Sequence, residues 1–178
     1  MKNIILGITG SIAAYKGADI ANALTKDGHA VHVIMTQAAQ RFITPITFQA
    51  LTKHKVHTEM FDEFVWEDVR HISLAHNADL ALIAPATANF IGKIASGIAD
   101  DMLTTVITAV ENKPVVICPA MNTAMYENPI TQDNIKKLLG YGYHFVEPRE
   151  SRLACGDLGK GALAELNTIL ATVRHFLE

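Results

Sequence analysis

Three residues carry side chains that could do chemistry on a small molecule. His71 can hold or release a proton near neutral pH, and the amide of Asn122 can bind a carboxylate or a carbonyl group. Cys155 stands in the glycine-containing segment Leu-Ala-Cys-Gly-Asp, where a thiol could move and meet a substrate. Each also has a plainer interpretation, as a surface or core histidine, a turn asparagine and a structural thiol. The pattern alone leaves both interpretations open.

A second group of residues, small or polar, stands where predicted strands end. Gly10 would let the backbone approach a ligand, and a helix that opens at Ser11 would offer unpaired N–H groups to an anion. Gly7 and Gly10 do not have the spacing of the dinucleotide motif Gly-x-Gly-x-x-Gly. A serine or threonine at these points is equally suited to capping a helix. The shared pattern favours a nucleotide-like cofactor. The candidate cofactor-binding residues are Gly10, Ser11, Ile12, Thr36, Ala86, Thr87, Ala88 and Asn89.

The sequence predicts no metal site. The two cysteines, Cys118 and Cys155, lie far apart in the chain and match neither a zinc ribbon nor a disulfide framework. His71 and His76 are five positions apart, whereas two metal ligands on one face of a helix are four apart. Cys118 lies within an apolar run, so we expect it to be a buried core residue.

Composition limits the class of protein. The chain has 178 residues, of which 49% are apolar and 19% charged, which suits a single domain spanning residues 1–178. Fifteen Lys and Arg against eighteen Asp and Glu give a net charge of −3, so we expect no nucleic-acid partner. The first apolar run, residues 4–6, is too short for a signal peptide, and the longer run, residues 80–99, carries Pro85 and Lys93. We therefore expect a cytoplasmic protein that does not enter a membrane.

Short apolar runs alternate with helix-length segments along the chain. This alternation predicts parallel strands joined by helical crossovers, and strands without polar alternation predict a sheet that is buried on both faces. The predicted strands are residues 3–8, 30–35, 79–84, 113–118 and 143–146. The predicted helices are residues 12–26, 37–52, 86–96, 101–110, 130–139 and 165–176, and residues 148–161 are predicted to form a loop. The fold class is α/β, a single doubly wound, Rossmann-like (flavodoxin-like) parallel sheet with helices on both faces. Its ligands should bind at the carboxyl ends of the strands.

Six segments, taken together and in this order, resemble one protein family. They are Gly-Ser-Ile-Ala-Ala-Tyr-Lys at 10–16, His-Ile-Ser-Leu at 71–74, Ala-Pro-Ala-Thr-Ala-Asn at 84–89, Gly-Ile-Ala-Asp-Asp-Met-Leu at 97–103, Pro-Ala-Met-Asn at 119–122 and Ala-Cys-Gly-Asp at 154–157. In these segments the chain is similar to the flavin-dependent cysteine decarboxylases, and among them to the phosphopantothenoylcysteine decarboxylases of coenzyme A biosynthesis. The segments span most of the chain, and the second, fifth and sixth are together the most specific.

The resemblance implies an FMN-dependent carboxy-lyase that converts 4′-phosphopantothenoylcysteine to 4′-phosphopantetheine. FMN would bind through the candidate cofactor residues named above. His71 would be the catalytic acid–base group or the partner of the substrate thiolate. Asn122 would hold the substrate carboxylate, with Met121 and Ala120 beside it in the substrate site. Cys155 would donate a proton when the ene-thiol is reduced again. Oxidation of the thiol end would create the electron sink that the cysteinyl carboxylate lacks, so that CO₂ could leave.

The resemblance also implies partners. The family forms a homotrimer with FMN at the subunit interface, often with four trimers in a dodecamer. In many bacteria the decarboxylase is fused to a synthetase that joins cysteine to phosphopantothenate. Because this chain stops at Glu178, we expect a separate synthetase protein to supply the substrate. Relatives often carry Arg or Lys where this chain has His76, so the chain departs from the family at that position.

Other functions stay open at the level of sequence. A peptidyl-cysteine decarboxylase of the same family would stop at the ene-thiol and would have no need of Cys155. A flavin prenyltransferase would not need the Pro-Ala-Met-Asn and Ala-Cys-Gly-Asp segments. A non-catalytic flavin-binding regulatory subunit would be expected to carry an acidic tail or to lack one catalytic residue. A flavodoxin-like electron carrier would leave His71 and Asn122, as well as Cys155, without a role.

Overall fold

A parallel sheet forms the centre of the molecule in the computed structural model, which describes residues 1–61, 69–152, 156 and 158–178. Its strands are β1 (Asn3–Ile8), β2 (Ala30–Met35), β3 (Leu80–Ala86), β4 (Val115–Pro119) and β5 (His144–Phe145). The strand order is β2-β1-β3-β4-β5, and every pairing is parallel. Because β1, β3 and β4 are almost entirely buried apolar runs, both faces of the sheet must be covered.

Helices cover both faces. They are α1 (Lys16–Lys26), α2 (Pro45–Thr52), α3 (Arg70–Asn77), α4 (Ala88–Ala95), α5 (Met102–Thr108), α6 (Thr123–Glu127), α7 (Pro129–Gly140) and α8 (Leu166–Leu177), with short 3-10 helices at Ile12–Tyr15 and Ala39–Arg41. One core packs α1 and α8 against strand residues such as Leu6 and Leu82. A second core packs α4, α5 and α7 against Ile5 and Ile83 on the other face. This arrangement confirms the predicted doubly wound α/β fold. Among the described residues, no helix is long and apolar enough to cross a membrane.

Strand β3 is longer than the sequence predicts, since it runs through Pro85 to Ala86. The carbonyl of Pro85 accepts hydrogen bonds from the backbone N–H of Thr9 at 3.3 Å and from its hydroxyl at 2.7 Å. Ala86 pairs with Pro119, and its carbonyl accepts from the N–H of Ala120 at 3.0 Å. A proline lacks only its own N–H, so a strand can continue past it where the carbonyls find partners. These bonds tie together the ends of β1, β3 and β4.

The prediction of a loop over residues 148–161 is wrong. The structure has an antiparallel hairpin there, formed by β6 (Arg149–Arg152) and β7 (Leu158–Ala162). The glycines that favoured a loop allow close packing instead. The carbonyl of Gly161 accepts a hydrogen bond from the N–H of Met121 at 2.9 Å, and a Cβ on Gly161 would collide with the Met121 carbonyl. The β6–β7 hairpin therefore docks on the segment that follows β4.

Two helices, α3 and α6, are absent from the sequence-based prediction. Helix α3 lies just before β3 and buries Leu74 and Ala75 against the second core. Helix α6 begins after Asn122, whose side-chain oxygen accepts a hydrogen bond from the N–H of Ala124 at 2.8 Å. Helix α3 buries only Leu74 and Ala75, and helix α6 buries only Tyr126, so neither has enough buried positions to show an apolar periodicity in the sequence.

Candidate active site

Two neighbouring cavities open at the carboxyl edge of the sheet, beside the loops that follow β1, β3 and β4. Cavity A has a volume of about 450 Å³ and cavity B of about 600 Å³. Gly10, Thr87 and Met125 line both, so the two cavities share a wall. The chain leaves β1 for β2 on one side and returns to β3 on the other, which makes this edge the topological switch point where open α/β sheets bind ligands.

Most of the candidate residues predicted from the sequence line these cavities. Those in cavity A are Gly10, Ser11, Ile12, Thr87, Ala88, Ala120, Met121 and Asn122. Those in cavity B are Gly10, Thr36, Thr87 and Asn89. Ala86 lines neither cavity, because it is fully buried in β3. The structure thus brings the candidate cofactor residues and the candidate substrate residues to one edge of the sheet.

The polar side chains among them also cap helices. The hydroxyls of Ser11, Thr36 and Thr87 each accept a hydrogen bond from a backbone N–H two or three residues ahead, at 3.2–3.3 Å. Asn122 does the same for α6. The plainer interpretation as caps is therefore confirmed for Ser11 and Thr87, whereas Thr36 lies two residues before the N-cap of its 3-10 helix, Ala38. It does not exclude ligand binding, since a hydroxyl that accepts from the backbone still has its own proton to donate. Capping also fixes each side chain at the cavity wall.

The loops after β1 and β2 touch at Gly10. A Cβ at this position would overlap the Cβ of Ala38, so the two loops can approach this closely only where the first carries glycine. The contact brings Thr36 to the same wall of cavity B as Gly10. Small side chains and a close approach of the backbone at such a wall suit a flat ring system and a phosphate group, both of which FMN contains.

Cavity B contains a group of charged residues from α4 and the start of α5. The ammonium of Lys93 lies 2.7 Å from a carboxylate oxygen of Asp100 and 3.5 Å from one of Asp101. The hydrogen bond with Asp100 is the main cause that raises the pKa of Lys93, and the same bond lowers the pKa of the Asp100 carboxyl. Asp101 also caps α5 by accepting from the N–H of Thr104 at 2.8 Å. Lys93, the single cation among the described residues that line this cavity, is therefore already paired.

Cavity A has the opposite charge. Three cations, Lys16, Arg149 and Arg152, line it, and none of the described residues in its wall is acidic. The sequence analysis missed all three as site residues. Arg149 and Arg152 lie on β6, in a segment predicted to be a loop, so nothing indicated that they face the strand ends. Lys16 closes the first segment of the family resemblance, and that position was the only available signal.

A polar network fastens the β6–β7 hairpin beside cavity A. The hydroxyl of Tyr126, on α6, donates to Glu147 Oε2 at 3.0 Å, and Lys160 Nζ, on β7, lies 2.5 Å from the same oxygen. Burial, followed by the hydrogen bond with Glu147, raises the pKa of Tyr126 to about 12. The hydrogen bond from Lys160 lowers the pKa of the Glu147 carboxyl. Glu147 is therefore a carboxylate at neutral pH and bridges α6 to the hairpin.

The three candidate catalytic residues are not brought together within the described structure of one chain. Asn122 lines cavity A, whereas His71, half-buried on α3, lines neither cavity. Cys155 lies outside the described residues. Cys118 is fully buried in β4, and burial raises the pKa of its thiol, as for an inert core residue. In the part of the chain that the structure describes, no three His, Cys, Asp or Glu side chains are grouped so that they could hold a metal ion.

Comparison with known proteins identifies the family. The flavoprotein family model matches residues 1–178. The chain belongs to the flavoprotein family. A probable phosphopantothenoylcysteine decarboxylase from Streptococcus mutans is 49% identical over 177 residues, which cover 99% of both chains. The coenzyme A biosynthesis bifunctional protein CoaBC of Bacillus subtilis is 48% identical over 178 residues. That match covers 99% of this flavoprotein but 44% of the bifunctional protein, so the chain spans less than half the length of that relative.

Solved structures extend the similarity to three dimensions. A mutant PPC decarboxylase in complex with pantothenoylaminoethenethiol has a TM-score of 0.89 and 34% identity, covering 99% of this flavoprotein and 98% of that chain. The FMN-binding protein AtHal3 has a TM-score of 0.84 and 36% identity, covering 98% and 96%. The FMN-dependent cysteine decarboxylase SpaF has a TM-score of 0.84 and 33% identity, covering 97% and 94%. These similarities confirm the predicted fold and the predicted resemblance to flavin-dependent cysteine decarboxylases.

Proposed function

We propose that this flavoprotein is an FMN-dependent carboxy-lyase that converts 4′-phosphopantothenoylcysteine to 4′-phosphopantetheine. One observation carries the proposal. The candidate substrate residues line cavity A, and cavity A shares the wall formed by Gly10 and Thr87 with cavity B, where Thr36 and Asn89 lie. A substrate and a flavin bound in these cavities would touch, which electron transfer between them requires. The Streptococcus mutans relative that matches over its whole length is named for the same reaction.

The cofactor and the protein have separate tasks in this reaction. FMN, when bound, would supply a two-electron oxidation at the thiol end of the substrate and would later return both electrons. Asn122 would hold the substrate carboxylate through its amide, which fixes the orientation of the C–C bond that breaks when CO₂ leaves. Met121 and Ala120, in the same cavity, would pack against the carbon skeleton and exclude water.

Proton transfer is the second task of the protein. His71 would hold or accept the proton at the substrate thiol, and Cys155 would deliver a proton to the ene-thiolate when it is reduced to the saturated thiol. A histidine suits the first role because its pKa ordinarily lies near neutrality. A thiol suits the second because it is a far stronger acid than a serine hydroxyl in the same place.

The site would be completed by a second copy of the chain in a homotrimer, or in a dodecamer built from trimers. His71 lines neither cavity of its own chain, so its proposed role requires the cavity of a neighbouring copy. The surface near His71 suits an interface, because Val69, two residues before it in the chain, is 60% exposed. Met125, in the wall shared by both cavities, is 50% exposed. Exposed apolar side chains of this kind suit protein–protein contacts.

A separate synthetase would supply the substrate by joining cysteine to phosphopantothenate, and the reaction would take place in the cytoplasm. The relative from Bacillus subtilis is named a bifunctional protein of coenzyme A biosynthesis, which supports a second activity that works together with this one.

The direct test is to load the purified protein with FMN, add 4′-phosphopantothenoylcysteine, and measure CO₂ together with the mass of the product. We expect CO₂ release and 4′-phosphopantetheine. A protein that binds no FMN, or that leaves this substrate unchanged, would overturn the proposal. A peptide ending in cysteine serves as the comparison substrate. If only the peptide loses CO₂, the chain is a peptidyl-cysteine decarboxylase instead.

A further inference from the structure

Cavity A contains more positive charges than are needed to bind the single carboxylate of the substrate. Lys16, Arg149 and Arg152 line the cavity, and no acidic side chain among its described wall residues offsets them. The chain as a whole has a net charge of −3, so this concentration of positive charge is local and not a general property of the surface. A cavity with low-dielectric walls and three cations attracts an anion that carries more than one negative charge.

Arg149 is fixed at one end of its guanidinium group and open at the other. Its Nε donates to the carbonyl of Leu163 at 3.2 Å and lies 3.0 Å from Glu165 Oε1. Its two terminal amino groups donate to none of the described residues. Glu165 lines a different cavity, beside α8, so its carboxylate approaches Arg149 from outside cavity A. The fork of N–H groups left in cavity A matches the geometry of phosphate oxygens.

Lys16 and Arg152 add charge from two other directions. Lys16 is half-buried at the start of α1, and no described carboxylate lies within ion-pair distance of its ammonium group. Arg152 donates from Nε to the carbonyl of Gly156 at 3.2 Å, and its terminal amino groups donate to none of the described residues. Because Lys16 comes from a helix on the sheet and the arginines come from β6, only the folded chain brings the three charges to one cavity.

We propose that Lys16, Arg149 and Arg152 bind the 4′-phosphate of the substrate. The identity of the substrate rests on the function proposed above. A phosphate monoester has up to two negative charges and several acceptor oxygens, which three cationic donors can satisfy. Asn122 lies in the same cavity and would hold the carboxylate at the opposite end of the same molecule. The phosphate would then anchor the substrate remotely from the bond that breaks, and this binding energy would help to orient the reacting end.

FMN also carries a phosphate, and it is the alternative occupant of these cations. The candidate cofactor residues Gly10, Ser11 and Ile12 also line cavity A, so either phosphate could reach the cations, and two observations favour the substrate. The candidate substrate residues, with Asn122 among them, line cavity A together with the cations. Cavity B, which holds the candidate cofactor residues Thr36 and Asn89, does not include the cations of cavity A. A phosphate could instead be held there by hydroxyl and backbone N–H donors.

The test compares 4′-phosphopantothenoylcysteine with pantothenoylcysteine, which lacks only the phosphate. Lys16→Gln, Arg149→Gln and Arg152→Gln are made singly. Each should raise KM for the phosphorylated substrate about 10-fold to 100-fold, as the loss of a charge-assisted hydrogen bond would, and leave KM for the other substrate nearly unchanged. Arg149→Lys keeps the positive charge, so it should retain part of the difference in KM between the two substrates that Arg149→Gln loses. Arg174→Gln is the control, because Arg174, on α8, pairs with Asp27 just after α1 and lines neither cavity A nor cavity B.

Each alternative gives a different result. Equal changes of KM for both substrates would overturn the proposal, because the effect of the cations would then not depend on the phosphate. Loss of bound FMN, measured by flavin absorbance after gel filtration, would assign them to the cofactor and also overturn it. If the wild-type protein decarboxylates neither compound, the proposed function fails, and binding of 4′-phosphopantetheine against pantetheine by calorimetry still decides the phosphate site. The variants should then weaken binding of the phosphorylated compound alone.

Discussion

Ser11, Thr87 and Asn122 show how far single residues predict a site. Their types and their positions after predicted strands place them correctly at the carboxyl edge of the sheet, where each lines cavity A. Each also caps the helix that follows. The sequence could not separate the two roles, because a cap and a ligand contact use the same side-chain oxygen and the same strand end.

Replacement of His71 by asparagine should abolish decarboxylation while FMN stays bound. Asparagine keeps a polar side chain of similar size but cannot transfer a proton, and loss of an acid–base group lowers turnover about 10²-fold to 10⁴-fold. CO₂ release and flavin absorbance are the two measurements. His76→Ala is the matched control, since His76 is exposed on the same helix α3, and it should have a milder effect. Wild-type turnover in the His71 variant would leave this residue a structural role only.

Replacement of Cys155 by serine should separate the two halves of the reaction. Serine has the size of cysteine but is a far weaker acid, so oxidation and CO₂ loss should survive while proton delivery to the ene-thiolate fails. Mass spectrometry should find a product about two mass units lighter than 4′-phosphopantetheine, since two hydrogens are not returned. A normal yield of 4′-phosphopantetheine from this variant would remove Cys155 from the mechanism.

At the scale of elements, the sequence predicts the sheet well and the pieces around the site poorly. Strands β1 and β2 have the predicted bounds, because uninterrupted apolar runs leave little choice of structure. The β6–β7 hairpin and helix α3 were missed for a common reason. Both are short, and both are stabilised by contacts with distant parts of the chain, such as Gly161 on the segment after β4. Such contacts between distant parts of the chain cannot be predicted from local sequence patterns.

The link between Glu147 and Lys160 makes the docking of the hairpin sensitive to acid. The pKa of Glu147 is lower in the folded chain than in the unfolded chain, so its stabilising effect is present above the ordinary carboxyl pKa and is lost as pH falls through the lowered value. Glu147→Gln should therefore lower Tm by about 1–4 °C at pH 7, since the pair is largely exposed, and by less at pH 3. Glu150→Gln, at an exposed position of β6, is the control and should not change Tm. Thermal melts at the two pH values decide the outcome, and an equal decrease at both would contradict the account.

At the scale of the whole molecule, the described part of one chain does not bring His71 and Asn122 to the same cavity. His71 lies away from both cavities, and apolar side chains near it and near the cavities are exposed. Residue types alone do not reveal this, because a side chain of a shared site has the same identity whichever copy it acts in, and only the family resemblance predicted a site between subunits. The proposed trimer supplies the missing proximity.

A trimer with shared sites predicts complementation between inactive variants. His71→Asn and Asn122→Ala should each be inactive alone. When the two are mixed, unfolded and refolded together, about a quarter of the sites in randomly assembled trimers would combine an intact His71 with an intact Asn122. Activity should rise to about that fraction of wild type, and sedimentation should show a trimer or a multiple of it. If mixed trimers form and activity does not rise, His71 and Asn122 of one site belong to the same chain. A fully active monomer would exclude the proposed trimer.

The wall that cavities A and B share has a consequence for the affinities with which their ligands bind. Because Gly10, Thr87 and Met125 face both cavities, a molecule in one forms part of the surface that the other presents. Thermodynamic linkage then requires that FMN and 4′-phosphopantetheine alter each other's affinity by one and the same factor. Calorimetric titration of each ligand, with and without the other at saturation, should give two equal ratios of about 5-fold or more. A ratio of one would mean that the two cavities are energetically independent. A ratio above one means that each ligand completes part of the surface that binds the other, so the protein should hold the two ligands together more tightly than it holds either one alone.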